Sequence, residues 1–308
     1  MIITVTFNPA VDKTAQVTTL VPGGLNRLSN VRQDVGGKGI NVSKTIHALH
    51  CHSIATGFIA GNTGQFIQNS LNELGIDSRL IEVPGETRTN LKVLDRNMEL
   101  TELNEPGPAV DKQAIDELLT SIEAMAQDNT WVVLSGNVGG QVDKSIYRSM
   151  IERFRQSGIH CVLDADGELF REGIQAGPAV IKPNRHELAE YFSVDENMDD
   201  ATVVELASRF LNDDTKLVVV SMGIDGSIFI TRDEVLRFGA LSIDYRSAVG
   251  AGDAMVAAIT VGMEQNLPLE ELATLAVATS AGACMSEGTS PADYDTVLAL
   301  QERVTIRI

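Results

Sequence analysis

The chain has 308 residues, 44% hydrophobic and 21% charged, a balance that suits an ordered protein with a sizeable core and excludes intrinsic disorder. Its formal net charge of -18 and pI of about 4.6 repel nucleic acid and anionic membrane, so a small anionic substrate must be met by a local cluster of Arg and Lys. No run reaches the ~18 apolar residues of a membrane span, "MIITVTFNPAVD" lacks the basic flank and apolar core of a signal peptide, and Cys51, Cys161 and Cys284, scattered and odd in number, read as core thiols of a reducing compartment; a cytoplasmic protein is expected.

The first predicted strand, "IITVTF", runs into "NPAVD", whose Asp12 reads either as a turn residue or as a ligand contact. Residues 13 to 35 alternate polar and apolar positions without helical period, and "DVGGKGINVSK" at 34 to 44 then leads glycines into a predicted helix. There Gly36, Gly37 and Gly39 would let backbone approach a ligand, Asn41 would offer an amide to a hydroxyl and Lys38 a point charge to a phosphate. A plain glycine turn with a solvated lysine fits the same letters, and the Walker A pattern occurs nowhere in the chain. His47 and His50 fall three apart on that predicted helix, but no His/Cys set has zinc spacing.

A strand at "SIATGFI" and a helix over 63–74 follow. "TRTNLKVLDRNMELTELN" (87–104) then reads as two strands around a tight turn at Asp95 to Asn97. Together with residues 13–35 it gives four short strands outside the main alternation, a small inserted sheet that would serve as a lid. Its half-exposed apolar face would be covered by a second copy of the chain. Arg27 and Arg88 lie in this lid, either as solubilising groups or, with Lys38, as the basic patch an anionic substrate requires.

Beyond the lid, "WVVLSG", "HCVLDA", "AVIKP" and "KLVVVSM" read as buried strands, with helices over 111–126, 143–157 and 199–212 between them. Alternating strand and helix predicts an α/β fold with a mainly parallel sheet covered on both faces, whose ligands bind beyond the carboxyl ends of the strands. In "AVIKPNRHEL", Asn184 and Glu187 share one face of a first helical turn, where they would hold the water shell of Mg²⁺ or form a capping box. Ser221, Gly223 and Gly226 of "VVVSMGIDGS" would let a base or ribose lie against backbone, or would simply make a tight strand-to-strand turn.

"SAVGAGDAMVAAI" fails the dinucleotide fingerprint because Met255 stands where a third small residue is needed. The amides of residues 250 to 253 at a helix start would instead form an anion hole for a transferring phosphoryl group. Asp253 beside them either caps the helix or accepts the proton of an attacking hydroxyl.

In this order, "NPAVD", "GGKGINVSK", "TRTNLK", "VVLSG", "VLDADGE", "IKPNRHEL", "VVSMGIDGS" and "VGAGDAMVA" resemble the phosphofructokinase B family of ribokinase-like sugar kinases, nearly end to end. The resemblance implies a three-layer αβα sandwich with an inserted β-sheet lid in one domain, a homodimer through that lid, and ATP- and Mg²⁺-dependent phosphorylation of a small sugar phosphate. It implies Asp253 as catalytic base with Gly250, Ala251 and Gly252 as the anion hole. Asp12, Gly37 and Asn41 would contact sugar hydroxyls, Arg27, Lys38 and Arg88 the substrate phosphate, and Ser135 the sugar end of the cleft. Lys182, Asn184 and Glu187 would face the γ-phosphate and magnesium, and Ser221, Gly223 and Gly226 the nucleotide.

"GGKGINVSK", "TRTNLK" and "TELNEPGP" are most similar to the 1-phosphofructokinase and tagatose-6-phosphate kinase branch, which implies fructose 1-phosphate as substrate, then tagatose 6-phosphate, then fructose 6-phosphate. A sensor of the same fold without catalysis would use the same pocket. After Ser135 and Gly136 the chain reads "NVGGQVD" where the family usually continues with serine, leucine and prolines, a departure beside the sugar.

Overall fold

The structure is a computed structural model describing residues 1–97 and 99–307. Its strands in chain order are β1 (Ile2–Thr6), β2 (Ala10–Gln16), β3 (Ser29–Gly36), β4 (Ser53–Ile59), β5 (Asp77–Glu82), β6 (Arg88–Leu94), β7 (Leu100–Asn104), β8 (Trp131–Ser135), β9 (His160–Asp164), β10 (Val180–Ile181), β11 (Leu217–Ser221), β12 (Ser227–Ile230), β13 (Val235–Phe238) and β14 (Ile306–Arg307). The α-helices are α1 (Lys38–Ala48), α2 (Gly61–Glu73), α3 (Lys112–Met125), α4 (Ile146–Gln156), α5 (Gly167–Gly173), α6 (Arg185–Phe192), α7 (Asp200–Ser208), α8 (Ala251–Glu264), α9 (Leu269–Cys284) and α10 (Tyr294–Gln301).

Ten strands form one sheet in the order β14-β13-β12-β11-β10-β9-β8-β1-β4-β5. Pairings from β5 to β11 are parallel and those from β11 to β14 antiparallel. The six apolar runs of the sequence are its central strands, and they read as unbroken hydrophobic stretches because both faces are covered. Val132 and Leu134 of β8 enter the core shared with α3, α4 and α7, while Trp131 and Val133 point to the opposite layer of α1, α8, α9 and α10. Buried between the sheet, α1 and α9, α8 is apolar nearly all round, with Ala254 through Val261 buried.

A second sheet, ordered β3-β2-β6-β7, contains the lid strands. β2 runs parallel to β6 with Ala10 opposite Arg88, and antiparallel to β3 with Ala10 opposite Gly36. This register sets Asp12 across from both Asn90 and Asp34. Met98, in the predicted hairpin segment, lies outside the described residues.

Several expectations are corrected. Asp12 stands inside β2 rather than in a turn, because the lid begins at Ala10, directly after Pro9. His50 is not on the helix with His47: α1 ends at Ala48, and His50 adopts φ 57° and packs against Tyr294 with ring centroids 4.6 Å apart and planes tilted by 33°. Of the three cysteines only Cys161 is a core thiol, pushed up to about 12 by burial, whereas Cys51 and Cys284 are half-buried. The turn alternative for Gly223 and Gly226 holds, since β12 pairs antiparallel with β11, whereas the half-exposed edge strand β5 and the antiparallel strands β13 and β14 carry no sequence expectation. Among the described residues, no helix is long and apolar enough to cross a membrane.

Candidate active site

Asp164, Lys182 and Ser221 stand at or just beyond the carboxyl ends of β9, β10 and β11, three neighbouring strands of the parallel run. They open into a cleft of about 970 Å³ between the main sheet and the lid. It is also lined by Asp12, Gly37, Lys38, Asn41, Arg88, Asn184, Glu187, Gly223, Gly226 and Gly250 through Asp253, so fifteen of the seventeen residues to which the resemblance gives a role share one space, while the loop glycines Gly36 and Gly39 stay outside it.

Asp253 is the third residue of α8, 7% exposed, and its side chain makes no cap hydrogen bond. Gly250 is the N-cap at φ 85°, a left-handed conformation costly for other residues, and the Ala251 amide donates to the Ala248 carbonyl at 3.2 Å, which leaves the Gly252 and Asp253 amides of the first turn at the cleft. The capping alternative for Asp253 therefore fails: its Oδ2 accepts from Asn41 Nδ2 at 2.8 Å. Asn41 Oδ1 is buried without a partner, leaving an acceptor in the cleft lining for an incoming hydroxyl. Burial first, then the charge of Asp164, pushes the Asp253 carboxyl up to about 6 against the pull of Lys38, Asn41 and Lys182.

Asp164, 2% exposed, is the main functional candidate that sequence reasoning left unnamed. Its Oδ1 pairs with Lys182 Nζ at 3.1 Å and its Oδ2 with Lys38 Nζ at 3.3 Å. Burial alone would raise its pKa, but the two lysines outweigh burial and hold it at about 2. Asp164 in turn drives the Lys38 pKa upward, so that ammonium stays charged. A Cβ added to Gly252 would lie 3.6 Å from Lys182 Nζ, which puts this ammonium against the amide cradle. The available signal was position alone: an aspartate ending a buried strand in "HCVLDA".

Asn184 and Glu187 form the capping box of α6, with Asn184 Oδ1 accepting from the Glu187 amide and Glu187 Oε2 from the Asn184 amide, each at 2.8 Å. Both still line the cleft, and burial raises the Glu187 carboxyl. Glu187 keeps its second carboxylate oxygen, a hard donor that fits Mg²⁺ held largely through water and phosphate oxygens; no cluster of three or more His, Cys, Asp or Glu exists among the described residues to cage it. At the same end, Met222 and Gly226 close the tight turn between β11 and β12, and Ile224, Leu241, Ile243 and Val277 give the cleft an apolar wall for a flat base. Residues 239–246 offered no sequence signal, being irregular chain between β13 and the glycine motif that opens α8.

At the lid end, Asp12 accepts from Asn90 Nδ2 at 2.8 Å and pairs with Lys92 at 3.2 Å, while Arg88 donates to the Asn8 carbonyl at 3.2 Å. Gly37, at φ 120°, packs where a Cβ would meet Thr6 Cγ2 at 2.7 Å. Two residues do not line the cleft. Arg27 lies exposed in the irregular segment between β2 and β3, and Ser135 is 2% exposed with its Oγ unpartnered, beneath Gly136, which packs on the Lys38 stem. The unusual loop that follows is pinned by Tyr147, whose buried hydroxyl donates to the Ser135 and Gly136 carbonyls at 3.2 and 3.0 Å.

Residues 5–296 match the profile of the pfkB family carbohydrate kinases. The chain is 33% identical over 306 residues to 1-phosphofructokinase of Bacillus subtilis (strain 168), covering 99% of each protein. To 1-phosphofructokinase of Xanthomonas campestris it is 34% identical over 285 residues, covering 90% of this chain and 89% of that protein. The crystal structure of phosphofructokinase-2 from Escherichia coli in complex with substrates and products superposes with a TM-score of 0.91 at 26% identity, covering 98% of both chains.

Proposed function

The chain belongs to the pfkB family of carbohydrate kinases, phosphotransferases that act on sugar hydroxyls, and from that premise we propose that it transfers the γ-phosphoryl group of ATP to fructose 1-phosphate, yielding fructose 1,6-bisphosphate. One observation carries the reading: a buried carboxylate with a pKa of about 6, oriented by Asn41, stands in the first helical turn beside amides able to receive an anion.

The Asp253 carboxylate takes the proton of the attacking hydroxyl as its oxygen bonds to the γ-phosphorus, the bond from that phosphorus to the bridging oxygen breaks, and ADP leaves with the electron pair. Asn41 holds the carboxylate and, through its free Oδ1, accepts from a sugar hydroxyl. Negative charge on the moving group meets the amides of Gly250, Gly252 and Asp253, the Ala251 amide being held by the Ala248 carbonyl, with Lys182 and Lys38 flanking them and Asp164 keeping both cations in place. Asp12 and Gly37 contact the sugar. Arg88 and Arg27 serve its phosphate, and Ser135 belongs to the sugar end of the cleft. Ser221, Gly223 and Gly226 receive the nucleotide. Mg²⁺, when bound, neutralises the phosphates, and Asn184 and Glu187 would hold it through water. The lid excludes water from the reacting centre.

Fructose 1-phosphate is favoured over its rivals by the full-length similarity to the 1-phosphofructokinase of Bacillus subtilis. The lid leaves Leu28, Leu91 and Leu103 around an open hollow, and Leu25 and Val31 are exposed nearby, an apolar face suited to a homodimer through this sheet. A coupled assay over fructose 1-phosphate, tagatose 6-phosphate and fructose 6-phosphate tests the substrate. The largest kcat/KM is expected with fructose 1-phosphate, and a higher value with either rival overturns the assignment.

A further inference from the structure

We propose that Lys44 is a positioning residue, tying the strand by which the lid returns to the body to the loop that backs the anion cradle. The inference rests on the kinase reading of the cleft and adds to it a residue that the mechanism leaves without a role.

Lys38, Asn41 and Lys44 recur every third residue along α1, a spacing that aligns them on one side of the helix. The first reaches Asp164 and the second Asp253. Lys44 Nζ donates to the Val35 carbonyl at 3.1 Å and to Thr289 Oγ1 at 3.2 Å. Val35 is the penultimate residue of β3, just ahead of the Gly36–Gly37 turn into the cleft. Thr289 lines the cleft, and its Cα would lie 3.5 Å from a Cβ at Gly250. One ammonium therefore bridges the hinge of the sugar-side loop and the wall behind the phosphoryl cradle.

Lys44 is only 9% exposed, and burying a lysine for packing alone is unfavourable where an apolar side chain would fill the space. Burial lowers its pKa, while Asp34, Asp12 and Asp253 favour its charged form. An outer contact joins the same pieces: Glu287, two residues before Thr289, takes Arg32 of β3 at 3.0 Å and lies 3.6 Å from Arg246 of the segment leading into the cradle. Those exposed pairs contribute little by themselves, which leaves the buried lysine as the firm element of the link.

The test compares wild type, Lys44→Met, Lys44→Arg and Thr289→Val in steady-state kinetics, using the sugar phosphate that wild type turns over fastest, with amide hydrogen exchange followed in residues 33–37 and 286–291. Lys44→Met should lower kcat by about tenfold while KM for ATP moves less than about threefold, and exchange should quicken in both segments. Thr289→Val should do the same more weakly, and Lys44→Arg, which still donates to two oxygens, should recover most of the rate. Wild-type kcat in Lys44→Met, or faster exchange confined to α1, overturns the proposal. Should Lys44→Met fail to fold, Thr289→Val carries the test, and an unchanged kcat there is equally decisive against it. If wild type transfers no phosphoryl group to any sugar phosphate, the kinase reading fails, and the exchange measurement still decides whether Lys44 joins the two segments.

Discussion

At the scale of single residues, the environment of Asp253 sets activity and stability against each other. Its carboxyl, raised by burial to about 6, must be ionised to take a proton, so kcat/KM should fall roughly tenfold per pH unit below about 6. For a carboxyl raised on folding, the contribution to stability is present at low pH and is lost as pH rises through the folded value. Asp253→Asn should therefore raise the melting temperature more at pH 8 than at pH 5, which lies inside the window between the ordinary value of 3.8 and about 6 over which the loss accrues. A melting-temperature difference that stays constant between those pH values contradicts the assignment. The sequence announced Asp253 through its glycines, but nothing in the letters of "VLDADGE" said that Asp164 would hold Lys38 and Lys182 together, since that clamp exists only once α1 and two strands converge. Lys38 was expected at the substrate phosphate, and the same convergence ties it to Asp164, between Asp253 and Glu187.

At the scale of elements, the start of α6 combines two roles that one sequence motif could not separate. Asn184 and Glu187 do cap the helix, and both also face the cleft. Glu187→Gln preserves an acceptor for the Asn184 amide but removes the charge. It should keep thermal stability nearly unchanged while raising the Mg²⁺ concentration needed for half-maximal rate severalfold. Glu187→Ala loses the cap as well and should cost about 1 kcal/mol in a denaturation experiment. Equal magnesium requirements for wild type and Glu187→Gln would reduce the pair to a cap. The central strands were legible because burial on both faces makes them uniformly apolar. β5 was hidden by its polar, half-exposed sequence "DSRLIE", and β12 and β13 by glycines at 223 and 226 that served equally as ligand contacts or as a turn.

For the whole molecule, the -18 net charge leaves few cations free, and the fold concentrates Lys38, Lys182 and Arg88 at one cleft. The lid contributes to that cleft on one side and exposes leucines on the other, so the proposed dimer contact and the proposed active site share one small sheet. Leu28→Glu combined with Leu103→Glu should shift the protein from dimer to monomer in sedimentation velocity; an unchanged dimer would put the interface elsewhere. The existence of this sheet was readable from broken helical period, whereas its parallel β2–β6 pairing joins segments some 80 residues apart and left no local trace. The decisive measurement is turnover and ATP affinity of Asp253→Asn with the preferred sugar phosphate. The account predicts ATP binding within a few-fold of wild type and kcat lower by about 10²–10⁴. Turnover close to wild type would contradict it.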